Sequence, residues 1–428
     1  MGKLRGDAMT SDDLRVGRLA NRTSNSFCAL LAAVVAAGFL LRLRYALSLG
    51  AVTGGDAQWY SYGSLALTDG EGFVNPLRFH FWGDTAVSFF KPPLWQSILA
   101  VPSWLLRNDP VLAQRIFACV IGSATILVIG LVARKLAGPI AGLFAASLAA
   151  VYPNLVVLDG LLLVESIYGL TIAAILLASY RLIDDPSLAS AVVLGTLLGL
   201  AALQRTDALG LLLILIPPLF LKLRRREVRS LKLASVSILC TLVAIVPWSI
   251  YASSSSAAIV PIATNARETL INDNCPETWF GPNAGNWSSR CVNLVPSERG
   301  ITYALRHPAS FPRLAIQRIG RTFDFYEPAQ NARFASLIDG RSPGLTLLGR
   351  LVWWLTLPFA LFGAFRCRRL KIWLWPLFCP IILSIGLSVF THGETRFRVA
   401  SEISVIVLAG VGMAQLGTRS NSNVNIPL

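Results

Sequence analysis

The feature that most constrains this 428-residue chain is a series of stretches about 20 residues long that carry little or no charge. A helix of that length spans the ~30 Å hydrocarbon core of a bilayer. Inside lipid the backbone satisfies its own hydrogen bonds only as a helix or a closed barrel. Hydrophobic residues make up 54% of the sequence and charged residues 14%, where a soluble domain carries roughly a quarter charged residues. The expectation is an all-α polytopic membrane protein, not a set of globular domains.

The apolar stretches fall near 28–49, 110–133, 139–158, 163–182, 188–205, 207–223, 232–251, 346–365, 372–391 and 399–417, about ten crossings. With the N-terminus in the cytoplasm, Arg134-Lys135, Lys222 to Arg226 and Arg366 to Lys371 all fall on the cytoplasmic side. That is the positive-inside pattern, so the net charge of +15 reads as topology rather than as nucleic-acid binding. The segment from Pro92 to Leu106 is apolar but only about 15 residues long, and it reads as an interfacial or re-entrant helix. As a true crossing it would place the later basic clusters outside.

The chain then divides into a cytoplasmic basic tail (1–27), a transmembrane core (28–251) holding a first extracytoplasmic loop (50–109), a second extracytoplasmic loop region (252–345), C-terminal transmembrane helices (346–418) and a cytoplasmic tail (419–428). The first apolar run ends in Arg42 and Arg44 rather than at a small-residue cleavage site, so a cleavable signal peptide is not expected. Of seven cysteines only Cys275 and Cys291 lie in the second loop. Two cysteines alone in an oxidising compartment are a disulfide candidate. Closing that loop stabilises by about 3 kcal/mol. No CxxC or paired histidine accompanies them, which argues against zinc.

Charged residues at the extracytoplasmic ends of the spans are the candidates for chemistry. Asp56 follows Gly54-Gly55 and precedes Trp59 and Tyr60. It reads either as a base at the mouth of the bundle, with aromatics suited to a sugar ring, or as a plain turn at the headgroups. Glu165 opens an apolar helix, as a functional ionisable group or as a carboxylate favoured by the helix dipole. Asp159 shares its turn. Arg205, Arg396 and Arg398 break the positive-inside trend, and bidentate phosphate binding would explain them. Salt-bridged turns with Asp207 and Glu394 are the plainer alternative. Lys91, before Pro92-Pro93, could contact a lipid phosphate or anchor to headgroups. Arg42 and Arg44 are expected to snorkel. His80, His307 and His392, without ligand spacing, are expected to be surface or loop residues.

Together these segments resemble the GT-C membrane glycosyltransferases, and more narrowly the protein O-mannosyltransferase and aminoarabinose-transferase superfamily with its bacterial family 39 branch. The resemblance rests on Gly55-Asp56-Ala57-Gln58-Trp59-Tyr60, Lys91-Pro92-Pro93-Leu94, Tyr152-Pro153, Glu165-Ser166, Gly199 to Arg205 and Arg396-Phe397-Arg398, in that order over about residues 28–415. It implies a GT-C-type bundle with interfacial helices and a polyprenyl-phosphate sugar donor used on the extracytoplasmic face. It also implies an acidic base in the first loop, here Asp56. Where the family often has a second acid this chain has Ala57. The end motif reads Arg-Phe-Arg, and Pro247-Trp248 is followed by Ser249-Ile250-Tyr251. These departures leave metal use and the acceptor open. The carboxylates could hold a divalent cation or work without one.

The resulting expectation is an inverting glycosyltransferase in the plasma membrane, with both termini cytoplasmic. It would move a sugar to a hydroxyl of a protein, lipid or glycan. Asp56 would serve as base and Glu165 would assist it. Lys91, Arg205, Arg396, Arg398, Trp59 and Tyr60 would hold the substrate. A transporter or flippase of a lipid-linked precursor would use the same arginines without a base, but would show matched halves and broken midplane helices. A structural subunit would leave Asp56 and Glu165 without a role.

Overall fold

The computed structural model describes residues 11–224, 230–256 and 258–417, with side chains from residue 25 onward. The outer part of the expected N-terminal tail, the whole of the expected C-terminal tail (419–428), and Arg225 and Arg226 of one basic cluster lie outside the described residues. Regular structure among the described residues is helical, apart from one isolated bridge between Val74 and Val87.

Helix α1 (Ser11–Leu47) is followed by the first long loop, which carries α2 (Gly55–Thr68), α3 (Pro76–Trp82) and α4 (Leu94–Leu105). Then come α5 (Pro110–Val151), α6 (Pro153–Gly160), α7 (Glu165–Asp184), α8 (Leu188–Gln204), α9 (Leu209–Arg224) and α10 (Ser230–Ser254). The second long loop folds into α11 (Ala266–Asp273), α12 (Pro276–Trp279), α13 (Gly300–Arg306), α14 (Phe311–Thr322) and α15 (Pro328–Asp339). The chain returns through α16 (Pro343–Arg369), α17 (Trp375–Phe390) and α18 (Val399–Gly417).

Seven helices among the described residues are long and apolar enough to cross a membrane. One of them, α5, is two helices joined across non-helical residues Ala137 and Gly138, directly before Pro139. The second half of α5 and the shorter apolar helices α8 and α17 occupy the remaining expected positions. The helix α4, only 12 residues long, is too short to cross, as its sequence predicts. Its Trp95 is fully buried and donates its indole N–H to the Leu162 carbonyl at 2.8 Å, which pins α4 to the turn before α7.

The innermost span is α18, 83% buried, against 22% for α1 and for α10. Close helix contacts are bridged by hydroxyls, as is usual inside lipid: Ser237 donates to Ala191 O at 3.0 Å and Thr241 to Gly195 O at 2.9 Å. In the first loop, Gln114 of α5 accepts from Ser61 (2.7 Å) and donates to Ser64 and Ser103 (both 2.9 Å). That fully buried cluster locks α2 against α4 and α5.

One expectation is corrected. Arg42 does not snorkel: it is completely buried, with Nε 2.8 Å from Asp159 Oδ2. The reason lies in the break after Val151. Tyr152, preceding Pro153, is extended (φ −69°, ψ 110°), as a residue before proline tends to be. The helix therefore ends with unsatisfied carbonyls, and Arg42 donates to those of Ala149 (3.0 Å) and Ala150 (2.8 Å). The span expected over 139–158 is thus interrupted. Arg44 remains exposed.

Candidate active site

The first turn of α2 delivers Asp56. Gly54 has φ +93°, and a Cβ there would lie 2.6 Å from the Ile338 carbonyl. Only glycine allows the Gly-Gly turn to press on the end of α15. This close approach sets Asp56 beside side chains from the far end of the chain.

Asp56 Oδ1 is 2.8 Å from Lys91 Nζ, and Oδ2 is 2.6 Å from an Arg396 terminal nitrogen. Arg396 Nε also meets Glu394 at 2.9 Å, and Asp339 Oδ1 lies 3.7 Å from its NH1. A second group sits across the cavity. Arg205 bridges Glu165 (2.5 Å) and Asp207 (3.0 Å), its guanidinium 5.6 Å from the Tyr168 ring and 5.2 Å from the Phe397 ring. Both plain salt-bridge alternatives weighed for Arg205 and Arg396 are therefore present alongside the contact to Asp56.

These groups line one cavity of about 430 Å³. Asp56, Tyr60, Lys91, Glu165, Arg205 and Arg396 all face it. Its other wall comes from α11 (Ala266, Thr269, Leu270), the end of α17 (Leu387, Phe390) and His392 in the turn that follows. A larger groove of about 800 Å³ between α1, α6 and α16 is apolar, with Arg44 as its one charge, and contains none of these groups.

Two residues expected at the substrate do not line the cavity. Trp59 is 7% exposed and packs its ring 5.3 Å from Phe90. Arg398 is 1% exposed and is held by Asp324 and by Glu402, the latter at 2.7 Å. His392, expected as a surface or loop residue near the site, lies in the turn after α17 and lines the cavity, but it is buried, with Nδ1 2.9 Å from Asp273 and Nε2 3.4 Å from Glu394. Asp273 and Asp339 were not singled out. Asp339 carries only the ordinary helix-end signature of the following Gly340, and nothing in sequence marks Asp273 as a partner of His392.

Charge pairing decides protonation. Burial pushes the Asp56 carboxyl up, but Lys91 and Arg396 together outweigh it and hold the group well below the usual carboxylate range. Glu394 is treated likewise: burial opposes its charge, yet Arg396 and His392 bring it down to about 2. Burial dominates at Asp339 and raises it to about 6 despite Arg396. At His392 burial works against the proton, but Asp273 and Glu394 hold the ring up to about 9. The Tyr60 hydroxyl is pushed far up by burial and by the neighbouring Asp56 and Glu165 carboxylates, so it stays protonated.

Cys275 and Cys291 form a disulfide, their Cα atoms 5.7 Å apart. Among the described residues no group of three or more His, Cys, Asp or Glu side chains is arranged to hold a metal ion. The cavity carboxylates Asp56, Glu165 and Asp207 are each committed to Lys or Arg. A divalent cation does not fit this donor set.

This helical bundle with a charged cavity under two long loops has counterparts among known membrane proteins. Residues 91–251 match the family described as dolichyl-phosphate-mannose-protein mannosyltransferase. The fold is similar to the Archaeoglobus fulgidus oligosaccharyltransferase in its apo form, with TM-score 0.54 and 14% identity over 92% of this chain and 51% of that one. The archaeal oligosaccharyltransferase AglB from Archaeoglobus fulgidus, in complex with an inhibitory peptide and a dolichol-phosphate, gives TM-score 0.54 and 13% identity over 95% and 53%. ArnT from Cupriavidus metallidurans bound to undecaprenyl phosphate gives TM-score 0.45 and 18% identity over 92% and 78%. The chain spans about half the length of the oligosaccharyltransferase it matches. No curated protein sequence matches it.

Proposed function

We propose that this protein transfers a sugar from a polyprenyl-phosphate donor to an acceptor hydroxyl, with Asp56 as general base. The observation that carries this reading is the placement of Asp56 between Lys91 and Arg396 at one cavity wall. A base and the cations for a leaving phosphate stand side by side there. The family match over 91–251 and the dolichol-phosphate held by a protein of similar fold support the donor class. The positive-inside charge pattern supports an extracytoplasmic site.

In the reaction, Asp56 removes the acceptor proton while the acceptor oxygen attacks the anomeric carbon. The sugar–phosphate bond breaks with its electron pair going to the phosphate. Lys91, Arg396 and Arg205 stabilise that charge. Direct displacement inverts the anomeric centre. A carboxylate bound by two cations is a weak base. A phosphate that shares Lys91 and Arg396 draws their charge away from Asp56 and raises its proton affinity. Glu165 keeps Arg205 oriented. Arg398, engaged with Asp324 and Glu402, shapes the turn that presents Arg396.

The test is transfer from a panel of polyprenyl-phosphate sugars by protein in lipid nanodiscs, comparing wild type with Asp56→Asn. Transfer by wild type that the variant loses supports the reading. Translocation of the lipid by both, with no transfer, moves the assignment to a transporter.

A further inference from the structure

His392, Gly393 and Glu394 form the turn between α17 and α18, and this turn is docked onto the second long loop at two points, one inside the disulfide-closed segment and one on α11 just before it. At the first, the Gly393 N–H donates to the Gly285 carbonyl at 2.8 Å, and Gly285 lies between the bonded Cys275 and Cys291. A Cβ at Gly393 would sit 2.3 Å from the Arg318 carbonyl, so the turn lies flush against α14. At the second, the His392 ring stands between two carboxylates, Asp273 at 2.9 Å and Glu394 at 3.4 Å. Asp273 is the last residue of α11, is fully buried, and offers its side-chain oxygens no hydrogen-bond partner, so the His392 cation is its charge partner.

The charges around this ring form a connected series. Arg318 of α14 donates to the Asp273 backbone carbonyl at 2.6 Å and to Asn274 Oδ1 at 3.2 Å. Asp273 pairs with His392, His392 with Glu394, Glu394 with Arg396, and Arg396 with Asp56. The series therefore runs from α11, whose Ala266, Thr269 and Leu270 line the cavity beside His392, to the carboxylate on the opposite wall. Removing one partner of a buried pair leaves the other uncompensated, so the members move together.

We propose that His392 is a positioning residue that fastens α11, the cavity-wall helix just before the disulfide-closed segment, to the Arg396–Asp56 pair, so that closure of that wall and placement of the base are coupled. The role of Asp56 in this statement rests on the function proposed above. The mechanical coupling does not.

The test compares wild type, His392→Gln and Asp273→Asn in nanodiscs by two readouts. The first is hydrogen exchange at neutral pH, which needs no substrate. Both variants are expected to speed exchange at least about threefold in 266–273 and also in 55–60, a segment neither touches. The second is the pH profile of kcat, which in wild type should fall as pH rises through about 9, where His392 loses its proton. In His392→Gln that limb should vanish, with kcat about tenfold lower and the donor KM little changed. Exchange that stays at the wild-type rate in 55–60, or that rises only within 391–394, overturns the proposal. A variant that loses kcat equally at every pH does so too. Should wild type transfer no sugar, the proposed function fails while the exchange comparison still decides the coupling.

Discussion

Asp56 Oδ2 lies 2.6 Å from Arg396, a residue 340 positions further along the chain. The same carboxylate is 2.8 Å from Lys91. The pairing joins the first long loop to the turn before the last helix, and it holds the carboxylate ionised.

Asp56→Asn keeps the shape and removes the proposed base. Transfer rate should fall roughly 10²–10⁴-fold. The donor KM should not rise, because Lys91 and Arg396 are freed for phosphate. Steady-state kinetics with varied donor check both, and near-full turnover by a folded variant would sink the assignment.

Lys91→Gln removes a cation from beside the leaving group. By analogy with loss of one oxyanion donor, kcat/KM should drop by roughly 10²-fold. Excess acceptor should not rescue it. A variant with unchanged kcat/KM for the lipid donor would show that Lys91 serves only to anchor.

The two neighbouring arginines should behave differently. Arg396→Gln should abolish turnover even in the fraction that folds, because Arg396 faces the cavity, although buried Glu394 also loses its cation and some stability goes with it. Arg398→Gln leaves Asp324 and Glu402 buried without their cation and should cost about 3–5 kcal/mol. Its main signature is a lowered Tm or yield, with unchanged donor KM in what survives. Equal donor-KM effects from the two substitutions would refute the division.

Stability should fall at both ends of the pH scale. His392, raised to about 9, contributes fully below its ordinary value near 6.5 and loses that contribution as pH rises through 9. Asp339, raised to about 6, also favours the folded state only at lower pH, its contribution gone once pH passes 6. Asp56 and Glu394 are depressed, so theirs is present above about 4 and is lost as pH falls toward 2. Tm against pH should decline above about 8 in wild type. A decline of the same size in His392→Gln would contradict the assignment.

Replacing Cys275 and Cys291 by serine opens the loop that ends α11. Stability should drop by about 3 kcal/mol, and reducing agent should act on wild type but not on the variant. Thermal unfolding with and without reductant measures both.

Much of the fold was legible because membrane spans declare themselves locally. Uncharged length, a Pro at a helix start such as Pro110, and a cap such as Asp109, which accepts from Leu112 N at 3.0 Å, are readable within a few residues. The break at Tyr152 was not placed, because the extended residue before Pro153 becomes a helix end only when Arg42 satisfies the exposed carbonyls. The same contact made Arg42 a core residue where composition suggested a headgroup anchor.

For the candidate site, the sequence alone determined which residue types stand at the loop ends of the spans: Asp56, Lys91, Glu165, Arg205, and the arginines before the last helix. It did so because charge is costly in lipid and its placement there is conspicuous. Which of them meet was decided only by tertiary structure. Arg396 and Arg398 are two positions apart, yet one reaches Asp56 in the cavity and the other is buried against Asp324 and Glu402. His392 likewise became a buried cation only when the second loop brought Asp273 to it. Partnership between side chains far apart in sequence depends on helix packing and on the turn at Gly54, and no local pattern records it.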